Sequence, residues 1–135
     1  EATERFMKTP VFPKDQMLAL TQRLMAFIDQ LGPKTAVIRS PRERRLANTL
    51  AFTVPGADSI SLLAGLDLEG ICASSGSACS AGSLEPSHVM LALGVPKDEA
   101  NALVRLSLGR ESTLAEVEHV ERVLPEVIAR ITSAR

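Results

Sequence analysis

The sequence contains no tryptophan and no tyrosine, and four phenylalanines are its only aromatic residues. The stacking platforms that hold unpaired nucleotides are therefore nearly absent. Excess charge of one sign is missing too: Lys and Arg total 15 against 16 Asp and Glu, a formal net charge of -1. Such a balance provides no basic field for nucleic acid or an anionic membrane surface, and no direct nucleic-acid or membrane partner is expected. No apolar run approaches the roughly 20 residues of a bilayer-spanning helix, and no signal-peptide pattern opens the chain. Cys72 and Cys79 are too few for a disulfide framework, and His88 and His119 make no zinc-spaced set. Two cysteines in such a chain read first as small buried hydrophobes.

What is present is a 135-residue chain with 45% hydrophobic residues, enough for one domain with a real core. Residues 1–12 read as an irregular N-terminal segment, and 13–135 as one domain. A start at Glu1 rather than Met suggests a trimmed or partial polypeptide. From Pro13, Met17, Leu20, Leu24, Phe27, Ile28 and Leu31 recur at helical steps, and Gly32-Pro33 is a stop. Thr35–Ile38 reads as a strand, Arg39–Arg45 as a solvated basic loop, and Thr49–Val54 as a second strand ended by Pro55-Gly56. Asp58 is positioned to cap a helix to Leu68, closed by Gly70. Ile71-Cys72-Ala73 is a short apolar strand, with Cys72 in the core. Pro86 suits the first turn of a helix to Leu93, stopped by Gly94. A short helix over 97–103 and a strand over Val104–Leu108 follow. Thr113-Leu114-Ala115-Glu116 is a capping box before a long helix with an apolar stripe at Val117, Val120, Leu124, Val127, Ile128 and Ile131. Pro125 should kink or split that helix. The order predicts an α+β fold, an α/β sandwich with helices packed on one small sheet.

One stretch belongs to no such element. Ser74–Ser83 holds five serines, two glycines, two alanines and Cys79. It is too small and polar for core. Gly76 and Gly82 lower the cost of unusual backbone angles. A cysteine on such a loop can be accessible, as a nucleophilic thiolate must be. On composition alone the loop is a flexible surface turn.

The letters say more. Ser74-Ser75-Gly76-Ser77-Ala78-Cys79, followed by Ser83-Leu84-Glu85-Pro86-Ser87-His88-Val89, resembles the active-cysteine segment of the NifS/IscS-type cysteine desulfurases. Arg45-Leu46-Ala47-Asn48-Thr49-Leu50 resembles that family's Arg-Leu-Pro-Asn-Thr segment, with Ala47 where proline is usual. Leu66–Ile71 resembles its approach to the cysteine, and Val104-Arg105-Leu106-Ser107-Leu108-Gly109-Arg110 its Ile-Arg-Phe-Ser-Leu-Gly-Arg strand. The resemblance covers about residues 42–131.

It implies the small C-terminal domain of a fold-type I pyridoxal-phosphate enzyme of the class V aminotransferase group, converting L-cysteine to L-alanine. By resemblance Cys79 is the nucleophile that carries sulfur as a persulfide, with a possible transient iron–sulfur contact. Arg105 matches the arginine that pairs with the substrate carboxylate, for which a guanidinium fork is suited. Asn48 is expected to be structural, Glu85 and Ser87 to shape the loop–helix junction, and His88 to pack beside the loop. His119 is expected to be solvated. A Cys72–Cys79 disulfide would remove the nucleophile and is disfavoured in a reducing cytosol. The family's cofactor lysine lies upstream in a larger domain, and Lys8, Lys14, Lys34 and Lys97 have no matching neighbourhood. The chain alone is thus expected to be inactive, with pyridoxal phosphate bound only in the full-length, cytoplasmic, homodimeric enzyme. Its own large domain and a sulfur-acceptor or scaffold protein are the implied partners, and iron–sulfur cluster assembly the implied pathway. Transfer RNA thiolation and DNA sulfur modification remain open. Two other readings stand beside this one: a free-standing sulfur-relay or interaction module, and a structural domain with an inert cysteine.

Overall fold

A computed structural model describes residues 4, 14–76 and 86–133. Cys79, Gly82 and Glu85 lie outside the described residues. Helix α1 (Lys14–Leu31) buries Met17, Leu20, Leu24 and Ile28 as its spacing predicts, together with Thr21 and Met25. It stops at Gly32, whose φ of 79° is open to glycine at little steric cost. Three strands follow along the chain, β1 (Val37–Ile38), β2 (Thr49–Thr53) and β3 (Leu103–Ser107), ordered β1-β2-β3 and all antiparallel.

The β2–β3 ladder pairs Thr49 with Ser107, Leu50 with Leu106, Ala51 with Arg105, Phe52 with Val104 and Thr53 with Leu103. Side chains alternate across a sheet. Leu50, Phe52, Val104 and Leu106 therefore point one way, into the main core with α1, α2 (Ser59–Leu68) and α5 (Leu114–Ser133). Phe52 is fully buried there, worth about 1.5–3 kcal/mol. Ala51 and Leu103 point the other way, against a smaller cluster of Met90, Val95 and Ala100. That cluster is supplied by two short helices, α3 (His88–Ala92) and α4 (Lys97–Ala100). The α+β sandwich expected from the pattern is the fold observed.

Several local signals act as read. Asp58 caps α2 by accepting from the Ser61 N–H at 2.9 Å. Thr113 and Glu116 form the capping box of α5, with the Thr113 N–H donating to Glu116 at 2.7 Å. Others need correction. Helix α5 runs unbroken through Pro125; Val123, Leu124, Val127 and Ile128 bury its face on both sides of the proline. Packing there outweighs the backbone bond that proline removes. The basic segment is not a plain solvated loop. Arg39 donates to Thr53 Oγ1 at 2.9 Å and pairs with Glu99, and Arg42 forks onto Asp29 at 2.7 and 2.9 Å. Residues 71–73 form no strand, and only Ser74 makes a single bridge, to Arg105.

Two contacts join the helices outside the core centre. An added Cβ on Gly65 of α2 would meet Val127 Cγ1 of α5 at 2.9 Å and Ile131 Cδ1 at 3.3 Å. Glycine here sets how closely α2 and α5 approach. Arg23 of α1 forks onto Glu121 of α5, with both arms at 2.7 Å. The hydrogen bonds from Arg23 hold the Glu121 carboxyl below its usual pKa.

Gly65→Leu is expected to destabilise the fold by about 1–3 kcal/mol through overpacking, measured by urea unfolding. Gly65→Ala should be near neutral, because the gain in helix propensity of about 1 kcal/mol offsets a smaller clash. The Arg23–Glu121 pair adds stability that is complete above the ordinary glutamate pKa. It is lost as pH falls through the lowered folded-state value. Arg23→Gln should therefore flatten the acid side of the stability–pH curve and leave a smaller fall between neutrality and acid, with the effect kept small by exposure.

Candidate functional site

Arg105 sits mid-strand in β3 on the sheet face away from the main core, opposite Ala51. Beyond β3 the chain returns at Ser74. The Ser74 N–H donates to the Arg105 carbonyl at 3.0 Å, and the Arg105 N–H donates to the Ser74 carbonyl at 2.6 Å. Arg105 Nη2 lies 3.4 Å from Ser74 Oγ, a long hydrogen bond. The Ser74 hydroxyl also donates to the Gly76 carbonyl at 3.1 Å and accepts from the Gly76 N–H at 3.4 Å, turning the chain just before residue 77. The sequence-predicted carboxylate clamp and the start of the cysteine segment are thus adjacent.

Arg105 also differs from the arginine beside it in the sheet. Arg39 follows β1, and its N–H donates to the Ala51 carbonyl at 2.8 Å. Both arginines flank Ala51, but Arg39 is neutralised by Glu99. Among the described residues no carboxylate lies within ion-pair distance of Arg105. A half-buried guanidinium with no counter-ion among the described residues, beside a small alanine, suits an anionic carboxylate.

Asn48 is structural. Its amide donates to the Leu108 carbonyl at 3.1 Å, and its carbonyl accepts from the Leu108 N–H at 2.8 Å, tying the head of β2 to the tail of β3. Arg45, just before it, donates to Thr21 Oγ1 at 3.3 Å and to the Leu46 carbonyl at 3.2 Å, but its buried Nε has no partner.

Two expectations fail here. Cys72 is exposed, not core. Ile71 takes the inward position just after α2, and Cys72 beside it faces solvent. His119 is not solvated on the outer face of α5. Its Nε2 lies 2.8 Å from the Glu69 carbonyl and its Nδ1 2.8 Å from Arg122 Nη2. Both ring nitrogens of His119 are thus within hydrogen-bond distance of a partner. The helical stripe placed His119 beside Val120, but its partner carbonyl, 50 residues upstream, was invisible in sequence. His88 is exposed at the start of α3.

Cys72 and His119 line a half-open cavity of about 300 Å³ with Leu24, Ser112 and Glu116. Neither Ser74 nor Arg105 lines it.

The fold is that of NifS-like pyridoxal-phosphate enzymes. An X-ray structure of a NifS-like protein from Rickettsia africae matches with a TM-score of 0.71 and 30% identity, over 84% of this chain and 28% of that one. The aminotransferase class-V family model matches residues 13–120, and the chain belongs to that family. A cysteine desulfurase IscS of Clostridium botulinum is 36% identical over 130 residues, 95% of this chain and 32% of the relative. A cysteine desulfurase NifS of Azotobacter vinelandii is 40% identical over 132 residues, 96% of this chain and 32% of the relative. The chain therefore spans about a third of the length of the curated relatives it matches.

Asn48→Ala should cost about 1 kcal/mol of unfolding free energy by leaving the Leu108 carbonyl one partner short. Amide exchange at Leu108 should stay slow, because its N–H donates to the backbone carbonyl of residue 48, which the substitution keeps. A chemical-denaturation curve and exchange measurements on the same variant check both.

Proposed function

We propose that the chain is the small domain of a cysteine desulfurase, with Arg105 as the substrate clamp and Cys79 as the sulfur carrier. The observation that supports it most directly is the Ser74–Arg105 bridge. It sets a guanidinium that has no carboxylate partner among the described residues beside the residue that opens the cysteine segment. Cys79 follows five positions after Ser74 in sequence.

On this reading the Arg105 guanidinium binds the carboxylate of L-cysteine through two parallel hydrogen bonds and fixes its orientation. The Cys79 thiolate attacks the substrate sulfur. A sulfur–sulfur bond forms and the substrate carbon–sulfur bond breaks. Its electron pair stays on carbon, which takes a proton to give L-alanine. Cys79 is left as a persulfide for a sulfur acceptor, with a scaffold for iron–sulfur clusters as the leading candidate. A transient contact of Cys79 with such a cluster, a cytoplasmic setting and a homodimeric full-length enzyme belong to the same reading.

The described residues do not fit pyridoxal phosphate, the cofactor of this family. An imine lysine must face an enclosed site, yet Lys14, Lys34 and Lys97 are exposed. The cavity beside Cys72 is lined by no lysine or arginine that could hold a phosphate. No step is therefore assigned to the cofactor within this chain; on this reading it is held by a part of the enzyme outside the described residues.

Cysteine treatment of the full-length protein is expected to place a sulfur adduct on Cys79 by peptide mass spectrometry. An adduct confined to Cys72, or none, would sink the assignment. The isolated chain mixed with pyridoxal phosphate is expected to show no borohydride-sensitive imine band. Such a band would place a cofactor lysine in this chain.

A further inference from the structure

β3 is the terminal strand of the sheet, and its outer edge presents unpaired backbone groups. At Arg105 both are satisfied by one residue, Ser74. The bridge is isolated, with no neighbouring pair extending it among the described residues. The next facing positions, Cys72 and Ser107, are both exposed. One residue therefore ties the incoming segment to the arginine strand.

The Ser74 side chain does a second job at the same point. Its oxygen faces Arg105 Nη2 at 3.4 Å and closes the turn onto Gly76 at 3.1 Å. A long flexible side chain such as arginine loses rotamer freedom when it is held in one geometry. With no carboxylate neighbour among the described residues, the Ser74 hydroxyl is the side-chain partner there that restrains the guanidinium. Ala51, opposite Arg105 in the ladder, offers no polar atom beyond its backbone.

We infer that Ser74 is the positioning residue of this site, orienting Arg105 for the substrate carboxylate through its hydroxyl while its backbone pair anchors the cysteine segment. The inference rests on the desulfurase reading and adds to it a residue that acts through Arg105. The hydroxyl sets how well the fork is aimed, so its loss weakens substrate binding more than turnover. The backbone pair is independent of the side chain, so Ser74→Ala leaves the anchor intact.

The test compares Ser74→Ala, Ser74→Thr and Arg105→Ala in the full-length enzyme that carries this chain. Ser74→Ala is expected to raise KM for L-cysteine about three- to tenfold, the size of one hydrogen bond, with kcat changed little. Ser74→Thr, which keeps the hydroxyl, should restore KM. Amide exchange at Arg105 should stay slow in both. An unchanged KM in Ser74→Ala, with Arg105→Ala strongly impaired, overturns the inference alone. Fast exchange at Arg105 in Ser74→Ala also overturns it, because the effect is then loss of the strand pair. An unchanged KM in both Ser74→Ala and Arg105→Ala overturns the clamp reading itself, and the inference with it.

Discussion

The antiparallel pairing of β2 with β3 is the constraint on which the rest of the structure depends. Its register decides which side of each strand is core, because a one-residue slip would exchange the two faces. As formed, it buries Leu50, Phe52, Val104 and Leu106 under α1, α2 and α5. The same register places Arg105 on the opposite face. Asn48 closes the ladder at one end through two hydrogen bonds to Leu108, and the Ala102 carbonyl accepts from the Val54 N–H at 3.2 Å at the other. Stability and site geometry are thus set by one ladder: what holds Phe52 in the core also aims Arg105 out of it.

The elements that were readable in sequence share a cause: their signals are local. Gly32 and Gly94 end helices with φ of 79° and 76°, Asp58 caps α2, and Thr113 with Glu116 caps α5. Each is settled within a few residues. The misreadings share the opposite cause. Arg39 looked solvated because Glu99, its partner, lies 60 positions away. Cys72 looked buried because its neighbours are apolar, but a three-residue apolar run does not reveal which of its members faces the core. Pro125 looked like a break because the local cost of proline is visible, while the burial of Leu124 and Val127 against distant elements is not.

The site divides along the same line. Arg105 and the cysteine segment were found through whole motifs whose letters agree with a known family. Composition alone would have left Arg105 as a surface arginine and Ser74–Ser83 as a turn. Their adjacency was not legible, because Ser74 and Arg105 are 31 positions apart and meet through an isolated bridge. Ser74 itself carried no signal, since it is one serine among five in the run. It becomes distinct only when its backbone is seen to satisfy both edge groups of Arg105.

On the desulfurase reading, the division of labour between this chain and the rest of the relatives' length follows from what each kind of chemistry needs. A carboxylate clamp needs only a rigid strand and a guanidinium without a carboxylate partner, and Arg105 on β3 has that setting among the described residues. An imine cofactor needs an enclosed pocket, a lysine whose pKa is shaped by that pocket, and donors for a phosphate. The described residues offer a half-open cavity with an acid, an imidazole already bonded on both nitrogens, and a thiol. Those groups cannot hold a phosphate monoester without an added cation. On the desulfurase reading this chain therefore brings recognition, through Arg105, and the sulfur carrier, Cys79. Electron-sink chemistry belongs to the part of the fold that encloses the cofactor.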